Sequence, residues 1–111
     1  MKEVKAIIQP FMLEQVLETL RRIDGLPGIT VSEVRGFGRT RGRSADEQND
    51  VIHYVKKAKI EIVVSDDLVE TVVKAIQEHA RTGNLGDGKM FVYEVADVIR
   101  IRTGERGEHA I

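Results

Sequence analysis

The chain contains no cysteine and no tryptophan, has only two prolines, and aromatic residues make up 5% of it. Without thiols there are no disulfides, thiolate metal sites or cysteine nucleophiles. This fits a reducing compartment, and the expected location is the cytoplasm. The scarcity of aromatics, with none in an RNP-like run, argues against an RNA-recognition sheet. No charge of one sign prevails. The 17 basic and 18 acidic residues give a formal net charge of −1, so nothing favours nucleic acid or a strongly charged partner. Long apolar runs are missing too. The stretch from Met1 is cut by Pro10, too short for a signal-peptide core and far too short to span a bilayer. What remains is a chain of 111 residues, 41% apolar, which fits one domain spanning residues 1–111 with a small core. A domain of this size buries only about two-thirds of its unfolded surface, so self-association would help it.

Two halves of the chain share one order of elements. Val4–Gln9 is rich in β-branched residues and reads as a strand. Pro10 stops it and opens a helix, where its missing N–H costs nothing. Leu13, Val16, Leu17, Leu20 and Ile23 recur at helical spacing, and Asp24-Gly25-Leu26-Pro27-Gly28 ends that helix. Ile29–Phe37 reads as a second strand, with Val34 shifting the phase of its alternation. Lys59–Val64 is a strong strand. Ser65, Asp66 and Asp67 offer N-caps, with capping-box spacing from Asp67 to Glu70. Leu68, Val69, Val72, Val73, Ile76 and Ala80 form the second apolar stripe. Met90–Val95 reads as the fourth strand and Asp97–Arg102 as a short fifth one. The pattern βαββαβ is the ferredoxin-like α+β sandwich, with two helices on one face of an antiparallel sheet.

Two connections stand out. Arg39 to about Val55 is a polar stretch of about seventeen residues, first basic (Arg39, Arg41, Arg43) and then acidic (Asp46, Glu47, Asp50). Hairpin loops usually have roughly two to five residues, and a longer excursion is either a binding loop or a solvated linker. The other connection is Thr82-Gly83-Asn84-Leu85-Gly86-Asp87-Gly88-Lys89. Its glycines let backbone N–H groups approach an anion, and a lysine closes it. As a string it matches most of a P-loop, but Met90 stands where Ser or Thr would hold magnesium. A P-loop also joins strand to helix, whereas here a helix pattern precedes and a strand pattern follows. A phosphate cradle and a plain Gly-rich turn both remain open.

Other candidates for chemistry have ordinary alternatives. Gly36-Phe37-Gly38-Arg39, at the end of the second strand, allows close backbone approach with an arginine in reach of phosphate, or is a bulged strand end. In a strand, Arg100 and Arg102 would point to one face, ready to hold an anion or to pair with Glu105 or Glu108. Lys56, Lys57 and Lys59 are a solvated face or a neutraliser of polyphosphate. His53, His79 and His109 lack ligand spacing, so no metal site is expected. No nucleophile–base pair stands out, and no catalytic residue is assigned.

Taken together, Thr30-Val31-x-Glu33-Val34-x-Gly36-Phe37-Gly38-Arg39, Lys59–Val64, Thr82-Gly83-x-x-Gly86-Asp87-Gly88-Lys89-x-Phe91 and Val98–Glu105 resemble the PII signal-transduction family over essentially the whole chain. The resemblance implies a ferredoxin-like homotrimer with nucleotide sites in the clefts between subunits. It implies competitive binding of ATP or ADP, and reporting of nitrogen, carbon and energy status to a partner enzyme, transporter or regulator. Residues 39–55 would be the T-loop, 82–89 the B-loop and about 100–111 the C-loop. By motif position, Gly36, Phe37, Gly38 and Arg39 resemble the T-loop base along the nucleotide. Lys57 resembles a phosphate-contacting lysine, and Thr30, Glu61 and Val63 the adenine-facing positions. Gly86, Asp87, Gly88 and Lys89 resemble the phosphate-contacting B-loop, and Arg100 and Arg102 a pair reaching in from the neighbouring subunit.

The chain also departs from the family pattern. Thr40 replaces the usual glutamine, which helps hold Mg²⁺ and 2-oxoglutarate. Mg²⁺ stays compatible, while the 2-oxoglutarate response is put in question. The loop is slightly short and lacks the tyrosine near its tip that many bacterial members have uridylylated. Gln9-Pro10-Phe11-Met12 and the Arg-rich loop resemble a divergent PII-like branch often encoded beside transporters. The sequence therefore points to a non-enzymatic adenine-nucleotide sensor. The alternatives are a small ferredoxin-like enzyme or metal-tolerance protein using the cleft, and an interaction module with a vestigial site.

Overall fold

The computed structural model describes residues 1–37 and 54–111. Strand β1 (Lys2–Ile8) is followed by a 3-10 turn (Pro10–Met12) and helix α1 (Leu13–Arg21). Then come β2 (Thr30–Gly36), β3 (Val55–Val64), a second 3-10 turn (Asp66–Leu68), α2 (Val69–Ala80) and β4 (Gly88–Glu94). The strands form one antiparallel sheet in the order β2-β3-β1-β4. Two helices on one side of this sheet make the expected ferredoxin-like α+β sandwich.

The core follows from alternation. Val4, Ala6 and Ile8 of β1 lie beside Ala58, Ile60, Ile62 and Val64 of β3, and all are buried. Val16 and Leu20 of α1 pack on them with Val69, Val72, Ile76 and Ala80 of α2. Each fully buried Val, Leu or Ile side chain contributes about 1.5–3 kcal/mol of transfer free energy. The opposite face carries Glu3, Lys5 and Ile7 on β1, Lys57, Lys59, Glu61 and Val63 on β3, and Phe91 and Tyr93 on β4. No helix covers it. Lys59 pairs with Glu61 at 3.3 Å, and the Lys5 ammonium stands 5.0 Å from the centroid of Tyr93, whose ring lies beside Phe91. The Ser32 hydroxyl, in the same cross-strand row as Lys59, is buried without a partner among the described residues.

Several sequence expectations need correction. β2 pairs with β3 in unbroken register from Thr30 to Gly36, so Val34 shifts no phase. β3 begins at Val55, not Lys59, and Lys56 and Lys57 are strand residues. β4 begins at Gly88, inside the Gly-rich stretch. No side chain of Ser65, Asp66 or Asp67 caps a helix, because a 3-10 turn intervenes before α2. Asp66 instead binds the Met1 nitrogen at 3.0 Å and Lys2 at 3.3 Å. The fifth strand does not form. Residues 100–104 reverse in a turn, with Gly104 N–H donating to the Arg100 carbonyl at 2.7 Å and a lone bridge between Ile99 and Arg106. Arg100 and Arg102 thus do not alternate along a strand. The expected long loop falls largely outside the described residues, as do Gly38, Arg39, Thr40 and His53.

Candidate functional site

The residues singled out in the sequence fall into two clusters along the uncovered side of the sheet. The first gathers at the end where β1 and β2 finish and β3 and β4 begin. Lys57 projects from β3 and its ammonium donates to the Gly86 carbonyl at 2.6 Å. Gly36, at the end of β2, lies against the Lys57 stem, which a Cβ there would meet at 3.7 Å. Gly86 has φ +93°, and a Cβ on it would stand 3.2 Å from the Gln9 side-chain nitrogen. Gly88 has φ +102° and sits so close to β1 that a Cβ would fall 1.7 Å from the Ile7 carbonyl oxygen. Only glycine fits there. Phe37, exposed at the strand end, pairs with Tyr54 at 6.2 Å between ring centroids. Lys89 is exposed on β4, in register with Ile7.

Within the Gly-rich loop, Asp87 accepts hydrogen bonds from the backbone N–H groups of Thr82 at 2.8 Å and Gly83 at 2.9 Å, and from the Thr82 hydroxyl. These donors, led by the Thr82 hydroxyl, hold its carboxyl below the usual carboxylate range.

The second cluster is an open cavity of about 300 Å³ whose wall includes Glu3, Thr30, Glu61, Val63, Val98 and Ile111. It brings Thr30, Glu61 and Val63 together, and the end of the chain forms one side. A short clasp orders that end. Asp97 accepts from Arg106 at 2.8 Å, from Val98 N–H at 2.9 Å and from Gly107 N–H at 3.2 Å. Arg106 is the main reason that the Asp97 carboxyl titrates below its ordinary value. Arg100 leans on the same segment, 3.4 Å from the His109 carbonyl and 4.0 Å from Glu105. Arg102 is exposed in the adjoining turn.

The two clusters are separated. Lys57 and Glu61 are four residues apart on β3, about 13 Å at roughly 3.3 Å per residue. Among the described residues Arg100 bonds to the C-terminal segment and not to the Gly-rich loop. Composition did not reveal Gln9, Glu3, Val98, or the Asp97–Arg106 clasp. Gln9 carried one weak signal, its place between a strand and Pro10. The clasp carried none, since nine residues separate its partners. No group of three or more metal-ligating side chains occurs among the described residues, and none of their helices is long and apolar enough to cross a membrane.

Comparison with known proteins agrees with this fold. The family model described as Nitrogen regulatory protein P-II matches residues 1–105. A nitrogen regulatory protein P-II from Rhodospirillum rubrum is 51% identical, and nitrogen regulatory protein P-II 1 from Escherichia coli K12 is 50% identical; both alignments cover 100% of each chain. Among solved structures, the crystal structure of Arabidopsis thaliana PII bound to citrate is 49% identical, with a TM-score of 0.80 over 99% of this chain and 91% of that one. The finer assignment to a divergent branch gains nothing from these matches.

Proposed function

This chain belongs to the nitrogen regulatory protein P-II family of non-enzymatic signal-transduction regulators, and from that premise we propose that it senses adenine nucleotides in the cytoplasm. ATP or ADP binds in a cleft between two copies of a homotrimer. Gly36, Phe37, Gly38, Arg39, Lys57, Gly86, Asp87, Gly88 and Lys89 come from one copy. Thr30, Glu61, Val63, Arg100 and Arg102 come from its neighbour. The observation that carries this reading is the separation of these residues into two half-sites on one uncovered face. One is a bare glycine backbone beside the Lys57 ammonium. The other is a cavity lined by Thr30, Glu61 and Val63. A polyphosphate suits the first and a flat base the second. The charged, aromatic sheet face, with Phe91 and Tyr93 still half-exposed, supports burial against other copies.

The bound nucleotide biases the connection between β2 and β3, and a target enzyme, transporter or transcription regulator reads that connection. Such a switch requires that ATP and ADP favour different states, because equal affinity for both states shifts nothing. Mg²⁺ would accompany the phosphates of bound ATP. Membership in this family sets aside the reading as an enzyme.

Titration calorimetry with ATP and ADP tests the proposal. Arg100→Ala and Lys89→Ala are each expected to weaken ATP binding at least tenfold. Wild-type affinity in both variants would overturn the site assignment, and no binding by the wild type would leave only an interaction module. Adding 2-oxoglutarate with and without Mg-ATP tests the consequence of Thr40. Heat only in the presence of Mg-ATP would show that threonine suffices there.

A further inference from the structure

We propose that Asp87 is a positioning residue which, with Thr82 as its partner, folds the first half of the Gly-rich loop from within and leaves the phosphate contacts to the second half. The proposal rests on the nucleotide reading above and changes the role that the family resemblance gave Asp87. Three observations carry it.

First, the Asp87 carboxylate is spent on its own loop. One oxygen accepts from Thr82 N–H and Gly83 N–H, and the other from the Thr82 hydroxyl. That hydroxyl in turn accepts from Asn84 N–H at 3.1 Å. Three consecutive amides are thereby used, so the backbone donors that remain for an anion start at Leu85. Second, Asp87 alone between Arg81 and Lys89 is half-buried, while the rest of this exposed stretch faces solvent. Third, the second half of the loop has a separate tether, the Lys57 ammonium on the Gly86 carbonyl.

The arrangement resolves a chemical conflict. An anion cradle that displayed a carboxylate would repel its own ligand. Turned inward and matched with three donors, the same carboxylate instead organises the backbone dipoles that face outward. A threonine five residues earlier is needed because its hydroxyl both donates to Asp87 and accepts from Asn84.

The test uses the full chain and three variants. Asp87→Asn keeps the size and removes the charge and one acceptor. Thr82→Val removes the hydroxyl, and Thr82→Ser keeps it. In nucleotide-free protein, amide exchange at Gly83 and Asn84 should quicken at least tenfold in Asp87→Asn and Thr82→Val and stay at the wild-type rate in Thr82→Ser. ATP affinity, by calorimetry, should fall at least tenfold in the same two variants and be retained in Thr82→Ser. Melting curves confirm that each variant is folded, and Thr82→Val carries the test if Asp87→Asn does not fold. If Asp87 faced the phosphates, Asp87→Asn would bind ATP more tightly and Thr82→Val would leave affinity unchanged; either result overturns the proposal. Wild-type exchange rates in both Asp87→Asn and Thr82→Val would also overturn it. Absence of ATP binding by the wild type sinks the nucleotide reading and the ligand clause here, while the exchange measurement still decides whether Asp87 and Thr82 shape the loop.

Discussion

The two faces of the sheet are made from the same strands to opposite specifications. Toward the helices, β1 and β3 offer Val4, Ala6, Ile8, Ala58, Ile60, Ile62 and Val64, all buried. Away from them the same strands alternate Glu3, Lys5, Lys59 and Glu61, with Phe91 and Tyr93 alongside and still 43% and 46% exposed. The first face is finished within one chain. The second is not: its ion pairs hold its charges, but its aromatics stay half-exposed and the buried Ser32 hydroxyl has no partner among the described residues. The contrast teaches that the core which stabilises the fold lies on one side of a thin layer, and the proposed site on the other. The proposed half-sites both open toward the unfinished side.

Substitutions can separate the two. The largest effect belongs to the covered face. Ile60→Ala should cost about 2–5 kcal/mol in urea denaturation, with ATP affinity per folded molecule unchanged; a loss of affinity without a loss of stability would break the division. On the open face, Tyr93→Glu sets a carboxylate opposite Glu3. It should leave the circular dichroism of the fold intact while weakening self-association at least tenfold in sedimentation. An unaltered mass would mean that this face is not where copies meet. The smallest effect is that of pH on the clasped segments at the margins. Asp87 and Asp97 have folded-state carboxyls held below their ordinary values, by the Thr82 hydroxyl and by Arg106 respectively. The unfolded chain therefore takes up protons first, and the contribution of these carboxylates is complete above about pH 4. It is lost as the pH falls through their folded values. Arg106→Gln should flatten the acid limb of the stability profile; an unchanged limb would show that the Asp97 clasp adds nothing.

Much of this was legible in the sequence wherever a period existed. The stripes of α1 and α2 and the strong alternation of Lys59–Val64 each mark one buried face. Periodicity failed where burial stops. The first residues of β3, Val55 to Lys57, bury nothing deeply, so no pattern announced them. Val98–Arg102 alternates like a strand, but Gly104, at φ +75°, reverses the chain, and among the described residues these find no sheet neighbour beyond one bridge. In the site, composition marked the Gly-rich loop and resemblance gathered Thr30, Glu61 and Val63. The inward turn of Asp87 and the approach of Gln9 to Gly86 were hidden, because contacts inside an irregular loop follow no spacing rule.

The register of β2 on β3 has one more consequence. Gly36 and Val55 are paired residues of neighbouring strands, so the eighteen residues between them leave and re-enter the sheet side by side. The sheet has already closed that circuit. Doubling the length of such a span adds only about 0.6 kcal/mol of closure entropy, less than a single buried methylene contributes. The two attachment points are therefore fixed by the sheet, and the number of residues between them can change at small cost without resetting any strand.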